Sequence, residues 1–126
     1  MQKIKYLGKG KFGDIYEGPK GANAERFMYK IRSGEIRSAF YHDSIGSDID
    51  LVWGNEKGGY VKIIKKHPEV LGKIQDIFDK SKVTSVSPNR VRLESDQYRS
   101  AISLNWYGEP KKWVLTSFDK TLPKTK

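Results

Sequence analysis

The sequence predicts an α+β fold in which N-terminal helices pack on a C-terminal antiparallel β-sheet. Apolar residues recur three or four positions apart at Val70, Ile74 and Ile77, which is the spacing of one helix face. Further along the chain apolar and polar residues alternate, as around Val91 and Leu93, which is the period of a half-buried strand. A chain of 126 residues suits one hydrophobic core, so we expect a single domain over residues 1–126.

The first half of the chain is predicted to be mainly helical. Residues 1–32 form a basic segment that starts as a loop with a short strand and continues into a helix. This helical pattern extends over residues 22–40 and is divided at Ser33-Gly34. A strand is predicted at residues 49–53. Two helices follow, at residues 60–67 and 68–80, and the second starts at a proline.

The second half is predicted to be an antiparallel meander separated by Ser-Pro-Asn and Gly-Glu-Pro turns. Its four strands are residues 83–86, 90–95, 100–107 and 113–118. Alternation places Ile102, Leu104 and Trp106 inward, and it places Thr116 on the side opposite Trp113.

Composition indicates a polyanionic partner. The formal net charge is +9, which favours contact with nucleic acid over a role for charge in solubility alone. There is no cysteine, so disulfides, thiol catalysis and cysteine-based zinc sites are excluded. No apolar run is long enough to span a bilayer and the N-terminus does not resemble a secretory signal, so we expect no membrane insertion.

Residues 7–16 look like the glycine-rich loop of a protein kinase. Lys30 lies downstream, at about the position expected for the phosphate-binding lysine of a kinase. A kinase also needs a catalytic loop with its Asp and Asn and a metal-binding Asp-Phe-Gly, and neither occurs in the chain. We therefore interpret this stretch as a flexible basic entry to the first helix.

The chemically capable residues suit cleavage of RNA, because RNA carries its own nucleophile in the 2′-hydroxyl. Histidine can transfer protons near neutral pH, and the chain has two, His42 and His67. Lys62 and Lys66 are four residues apart, so they share a helix face that leads to His67. The alternative interpretation is a solvated basic face with His67 at a helix boundary and His42 in a polar loop.

The predicted sheet offers a second set of polar residues. Arg90 and Arg92 project from one face of a regular strand, and Thr116 is a candidate to orient a phosphate. Such a face is either an RNA-binding surface or the ordinary solvent side of a sheet. A cluster of three aspartates lacks accompanying histidine ligands, so we expect no metal and no cofactor: Asp43, Asp48 and Asp50.

Several segments together resemble a known family. They are, in chain order, Ser33-Gly34-Glu35, Ala39-Phe40-Tyr41-His42, Ile45-Gly46, Ile49-Asp50-Leu51-Val52-Trp53-Gly54, Gly59-Tyr60, Ile63, Lys66-His67-Pro68-Glu69, Asn89-Arg90, Leu93-Glu94 and Lys112-Trp113-Val114-Leu115-Thr116-Ser117-Phe118. The chain resembles the phage-associated and polymorphic-toxin nuclease domains grouped with barnase, EndoU, colicin-type tRNA nucleases and RelE. The resemblance covers residues 33–120, and its most specific part is the Ile-Asp-Leu-Val-Trp-Gly segment.

The resemblance implies helices before an antiparallel sheet of four or more strands, and metal-independent endoribonuclease activity on tRNA or rRNA in a bacterial cytoplasm. It implies a toxin delivered as the C-terminal domain of a larger secreted or phage protein, and a cognate acidic immunity or antitoxin protein. We expect a monomer when the domain is free.

By position, the family's polar site falls on five residues: His67, Lys62, His42, Arg90 and Thr116. Four further residues are expected to contact RNA: Lys66, Arg92, Tyr60 and Ser117. Lys62 departs from the family pattern, in which histidine is common at this position. A mechanism with two histidines would therefore have to use His42.

Two other classes of function share the same composition. The chain could be a basic nucleic-acid-binding module without catalysis, or a protein-interaction module that binds an acidic partner. A titrating histidine beside cations favours the nuclease, because a binding module does not need one.

Overall fold

The structure is a computed structural model that describes residues 3–122. Its strands are β1 (Lys5–Gly10), β2 (Gly13–Glu17), β3 (Glu35–His42), β4 (Gly46–Val52), β5 (Lys82–Ser87), β6 (Arg90–Glu94), β7 (Tyr98–Trp106) and β8 (Glu109–Asp119). Its helices are α1 (Ala22–Ile31), α2 (Tyr60–Lys66) and α3 (Ile74–Lys80), with a 3₁₀ turn at Pro68–Val70 between α2 and α3. None of these helices is long and apolar enough to cross a membrane.

The strands form one mixed sheet in the order β1-β2-β3-β4-β8-β7-β6-β5. The pairs β2/β3 and β4/β8 are parallel, and the other neighbouring strands are antiparallel. The α+β class is thus confirmed as a mixed sheet with few helices. The expected division into a helical first half and a sheet in the second half is wrong, because four of the strands precede residue 60.

The largest error concerns residues 35–42, which were predicted to continue the first helix but form β3. Helix α1 ends at Arg32, whose φ of 52° is left-handed, and Gly34 follows with a φ of 77°. These two left-handed residues, one on each side of Ser33, redirect the chain. Residues 35–42 then pair with β2 on one side and β4 on the other, so tertiary pairing overrides their helical spacing.

The predicted helix over 68–80 is also interrupted. Leu71 is extended and Gly72 has a φ of 80°, so the 3₁₀ turn and α3 are separate. The predicted C-terminal meander is confirmed, with β5 to β8 close to the expected bounds.

The hydrophobic core lies between the helices and one face of the sheet. Helix α1 contacts β3 and β4, α3 contacts β3, and α2 contacts β8. The helices and strands both contribute side chains that are almost completely buried: Met28, Ile63, Ile74, Ile77 and Phe78 from the helices, and Ile36, Leu51, Leu93, Ile102 and Val114 from the strands. We call the opposite side of β6, β7 and β8 the outer face.

A β-bulge in β8 decides which of its side chains lie on the outer face. Val114 pairs with Ile102, but Thr116 pairs with Ala101, so Leu115 is an extra residue. Trp113 pairs with Ser103, which lies on the same side of β7 as Ala101. The expectation that Thr116 and Trp113 lie on opposite sides is therefore wrong.

Trp106 also departs from the expected pattern. The register of β7 and β8 shifts between Ser103 and Asn105, and the Trp106 ring packs edge-on against Trp113 with centroids 5.2 Å apart. Trp106 thus joins the aromatic residues near the outer face and is absent from the buried core cluster.

Helix α2 lies along the edge of β8. Strand β4 pairs with β8 only at Asp50 and Trp113, after which the two strands diverge. The backbone N–H of Gly59 then donates to the Leu115 carbonyl at 3.0 Å. A Cβ on Gly58 would collide with Leu115, and one on Gly59 would lie 2.8 Å from the Trp53 carbonyl oxygen, so this close approach requires two glycines.

A buried carboxylate connects the helices. Glu25 of α1 is 1% exposed and accepts hydrogen bonds from the Tyr60 hydroxyl at 3.0 Å and from the backbone N–H groups of Gly72 at 2.8 Å and Ile74 at 3.0 Å. Burial raises the pKa of Glu25, although the three hydrogen bonds act to lower it. The carboxylate fixes α1, the first residue of α2 and the start of α3 relative to one another.

Replacing this carboxylate should cost stability. Glu25→Ala leaves three donors without their acceptor, two of them on the buried residues Tyr60 and Ile74, so we expect the free energy of unfolding to fall by about 2–4 kcal/mol. Urea unfolding followed by circular dichroism measures the loss. Glu25→Gln keeps one oxygen acceptor and should lose less. Glu56→Ala, at an exposed loop glutamate, is the control and should stay within about 0.5 kcal/mol. A loss at Glu25 no larger than at Glu56 would contradict this role.

Candidate functional site

The outer face carries arginine side chains in cross-strand rows. Antiparallel register places Arg90 opposite Ser103 and Arg92 opposite Ala101, and the same two β7 residues pair on their other side with Trp113 and Thr116. Directly opposed residues share a face of the sheet. The rows Arg90–Ser103–Trp113 and Arg92–Ala101–Thr116 therefore lie side by side on the outer face.

A third row brings the site to His67. Arg99 pairs with Phe118, and the His67 ring stacks on the Phe118 ring with centroids 4.9 Å apart and planes inclined by 29°. His67 directly follows α2, which lies along the edge of β8, so its ring reaches the outer face from that edge. Phe118 is two residues from Thr116, and strands rise by about 3.3 Å per residue, so the imidazole lies next to the Arg92–Thr116 row.

Glu69 holds the other side of His67. Its Oε2 accepts a hydrogen bond from the backbone N–H of Asp119 at 3.1 Å and lies 3.8 Å from Nδ1 of His67. The spacing of His67 and Glu69 around Pro68 brings the carboxylate back to the imidazole. Nε2 of His67 has no hydrogen-bond partner among residues 3–122, and the side chain is 27% exposed. Nε2 is therefore available to a ligand.

The pKa of His67 is lowered, chiefly because burial disfavours the charged form. Glu69 raises this pKa, while Lys62 and Lys66 lower it. The lowered pKa favours the neutral imidazole, which is the form that accepts a proton. Both lysines of the predicted cationic helix face therefore influence the imidazole electrostatically.

Thr116 has an unusual hydroxyl. Its Oγ1 is buried and makes no hydrogen bond within the described part of the chain. A buried hydroxyl without a partner is rare in folded proteins and calls for an explanation, since it costs about 1–3 kcal/mol. Its place on the outer face, one row from Phe118 and His67, is where a phosphate oxygen could accept its proton.

His42 lies apart from this group. The residue is 6% exposed, its Nε2 lies 2.8 Å from the Ser81 carbonyl oxygen, and its Nδ1 accepts from the Ser44 N–H at 3.0 Å. Nε2 thus holds the end of β3 against the residue that follows α3, and Nδ1 is occupied within the turn between β3 and β4. This arrangement leaves no nitrogen of His42 for substrate.

Two of the expected RNA contacts are buried. Tyr60 is 2% exposed and its hydroxyl donates to Glu25, so it serves the helix junction described above. Ser117 is fully buried on the core side of β8, where its hydroxyl bonds to that of Ser100 at 2.9 Å. Neither side chain is accessible to RNA in this fold. The other two, Lys66 and Arg92, are exposed.

Sequence reasoning missed Phe118 and Glu69 as parts of the site. The sequence pattern places Phe118 at the end of a predicted strand. Only the tertiary contact between the two rings shows that it supports His67. For Glu69 a signal was present, since a carboxylate two residues after a histidine across a proline can reach back to the ring.

The three aspartates do not form a metal site. Asp50 accepts a hydrogen bond from Lys111 Nζ at 2.6 Å, and Lys111 also bonds to Glu35 at 2.6 Å. Asp48 is paired with Lys112. Over residues 3–122 no group of three or more His, Asp or Glu side chains is arranged to hold a metal ion.

Comparison with known proteins defines the class. The model of the phage-Barnase-EndoU-ColicinE5/D-RelE like nuclease1 family matches residues 39–124, more than half of the chain. The fold and the match define a nuclease domain, and the chain belongs to this family. The match starts within β3 and covers α2, His67 and the whole outer face. No curated protein and no solved structure matches the chain significantly.

The environment of His67 generates a prediction that does not depend on activity. We expect NMR titration of the imidazole to give a pKa below 6.5, because burial is the largest influence on it. Glu69→Gln removes the one attractive charge and should lower the pKa further. Lys62→Ala removes a repulsive charge and should raise it. A rise in the His67 pKa in Glu69→Gln, or a fall in Lys62→Ala, would contradict this electrostatic description of the site.

Proposed function

We propose that this nuclease is a toxin-type endoribonuclease that cleaves tRNA or rRNA without a metal ion. The observation that carries the proposal is the partly exposed His67, which keeps Nε2 free, contacts Phe118 and Glu69 and lies beside an arginine-bearing sheet face. RNA is the fitting substrate because its 2′-hydroxyl supplies the nucleophile, so the protein has to provide only proton transfer and charge stabilisation.

In the first part of the reaction His67 acts as general base. Its free Nε2 accepts the proton of the 2′-hydroxyl, and the 2′-oxygen attacks the adjacent phosphorus. The imidazolium that forms is stabilised by Glu69 at Nδ1, at a separation of 3.8 Å. Glu69 is itself oriented by the Asp119 backbone, and Phe118 fixes the plane of the ring.

Cations then stabilise the charge that builds up on the phosphate. Arg92 and Arg90 project from the outer face and contact the phosphate, and the covered Thr116 hydroxyl donates to a phosphate oxygen once substrate binding displaces the side chains over it. Lys62, whose charge already acts on His67, protonates the departing 5′-oxygen. The bond from phosphorus to the 5′-oxygen breaks, and the products are a 2′,3′-cyclic phosphate and a 5′-hydroxyl.

Substitution of His67 tests the mechanism. His67→Ala should lower the single-turnover rate of RNA cleavage by about 10²–10⁴-fold, which is the usual contribution of a general acid–base group. RNA affinity should change little, because the cations remain. Cleavage by the wild-type protein should persist in EDTA and leave cyclic phosphate ends, as end mapping will show.

A second variant guards against a simple loss of folding. Thr116→Val removes a buried hydroxyl that has no partner in the free protein, so its melting temperature should be unchanged or higher. Its cleavage rate should nevertheless fall. Normal cleavage by well-folded His67→Ala would remove His67 from the mechanism. RNA that is bound but not cut by the wild-type protein would favour a non-catalytic binding module.

The proposal extends to a protein partner. A toxin of this kind acts in the bacterial cytoplasm and has to be inhibited where it is made. The net charge of +9 favours a small acidic immunity or antitoxin protein that covers the outer face and associates rapidly through charge complementarity.

The toxin proposal predicts that expression alone arrests growth of a bacterial host, and that His67→Ala abolishes this effect. Growth curves after induction, with the soluble amount of both proteins compared on gels, measure it. If the active wild-type domain accumulates without harm in its natural host in the absence of any partner, it is not a toxin.

A further inference from the structure

The turn between β7 and β8 contains an unexpected residue. Trp106 pairs with Glu109, and the two residues between them, Tyr107 and Gly108, have φ angles of 50° and 92°. Two-residue hairpin turns with both φ angles positive strongly prefer Asn-Gly, because a large side chain is strained in the left-handed region. Tyrosine is therefore a costly choice for the turn itself. Strain of this kind is often retained where a residue has a function.

The tyrosine ring is open to solvent and is accompanied by a cation. Tyr107 is 61% exposed, the highest exposure among the large aromatic side chains of the described chain. Lys11 Nζ lies 4.1 Å from the centroid of its ring, and Trp106 packs edge-on with centroids 5.1 Å apart. Lys11 thus covers one side of the Tyr107 ring, and Trp106 contacts it in a perpendicular arrangement. The rest of the ring is exposed to solvent.

This ring continues the outer face. Trp106 connects Tyr107 to Trp113, and Trp113 shares a cross-strand row with Arg90. Two rows further along β8, Phe118 supports His67. An RNA strand that starts at His67 and places its phosphates over Arg92 and then Arg90 would reach Tyr107. Aromatic rings beside cationic groups are the feature with which proteins hold unpaired bases.

We propose that Tyr107, with Lys11 above it and Trp106 beside it, is a subsite that stacks an unpaired nucleobase of the RNA near the cleaved phosphate. The inference rests on the proposed function and specifies its substrate: RNA that is single-stranded at this point. Lys11 contacts the phosphate of the stacked nucleotide. The glycine-rich hairpin of β1 and β2, which lies outside the family match, supplies this lysine.

The test uses Tyr107→Asn, which installs the residue that the turn prefers. The variant should melt at or above the temperature of its parent, so any loss of binding is not a loss of fold. Affinity is measured in the His67→Ala background, at one fixed salt concentration, for a labelled single-stranded oligoribonucleotide and for the same strand annealed to its complement. Removal of a stacking ring should weaken single-strand binding at least fivefold and leave duplex binding nearly unchanged.

Two variants serve as controls. Tyr107→Trp keeps a flat ring and should retain affinity. Tyr29→Ala removes another exposed tyrosine with a cation over its ring, Arg32 at 4.5 Å, but lies on α1, away from the outer face. It should bind single strands like the parent.

The outcomes separate this inference from the proposed function. The subsite is overturned if Tyr107→Asn binds the single strand as tightly as its parent does, or if it loses affinity for the duplex by the same factor. Neither result bears on whether the wild-type protein cleaves RNA. Failure of the wild-type protein to cleave RNA overturns the proposed function, while a selective single-strand loss in Tyr107→Asn would still support the subsite.

Discussion

The buried carboxylate of Glu25 is the interaction on which the placement of the helices depends. It accepts hydrogen bonds from α2 through Tyr60, from Gly72, and from the first residue of α3, so one side chain joins three segments that are distant in sequence. Burying a carboxylate is unfavourable, and the raised pKa of Glu25 reflects this cost. Three donors offset it, and the orientation of α2 that results determines where His67 lies.

The candidate site forms where α2 and the 3₁₀ turn pack against the edge of β8. Because β4 diverges from β8 after a single pairing, the edge is free to accept α2 through Gly59 and the 3₁₀ turn through Glu69. The same two anchors position the imidazole against Phe118 and set the charges that act on its pKa. Structure and electrostatics at His67 therefore share one cause, and a change that moves α2 would alter both.

The outer face illustrates how small irregularities determine which side chains a sheet face carries. Without the extra residue at Leu115, Thr116 would face the core side, and the row that joins it to Arg92 would not form. Without the register shift before Asn105, Trp106 would point inward as alternation predicts. Neither irregularity has a marker such as glycine at the affected position. This is why regular alternation predicted the strands correctly and two of their side-chain directions wrongly.

The sequence by itself showed the family through the segments that resemble it. It also predicted the basic character, helix α2 with its lysines and the C-terminal strands, since these depend on local periodicity and composition. Only the tertiary structure decided between the two histidines. The sequence offered both His42 and His67 as proton-transfer residues, but in the fold His42 has both ring nitrogens bonded and His67 keeps Nε2 free. Strand β3 was predicted as helix because its strand pairing is with segments elsewhere in the chain, and this pairing outweighs the helical spacing within residues 35–42.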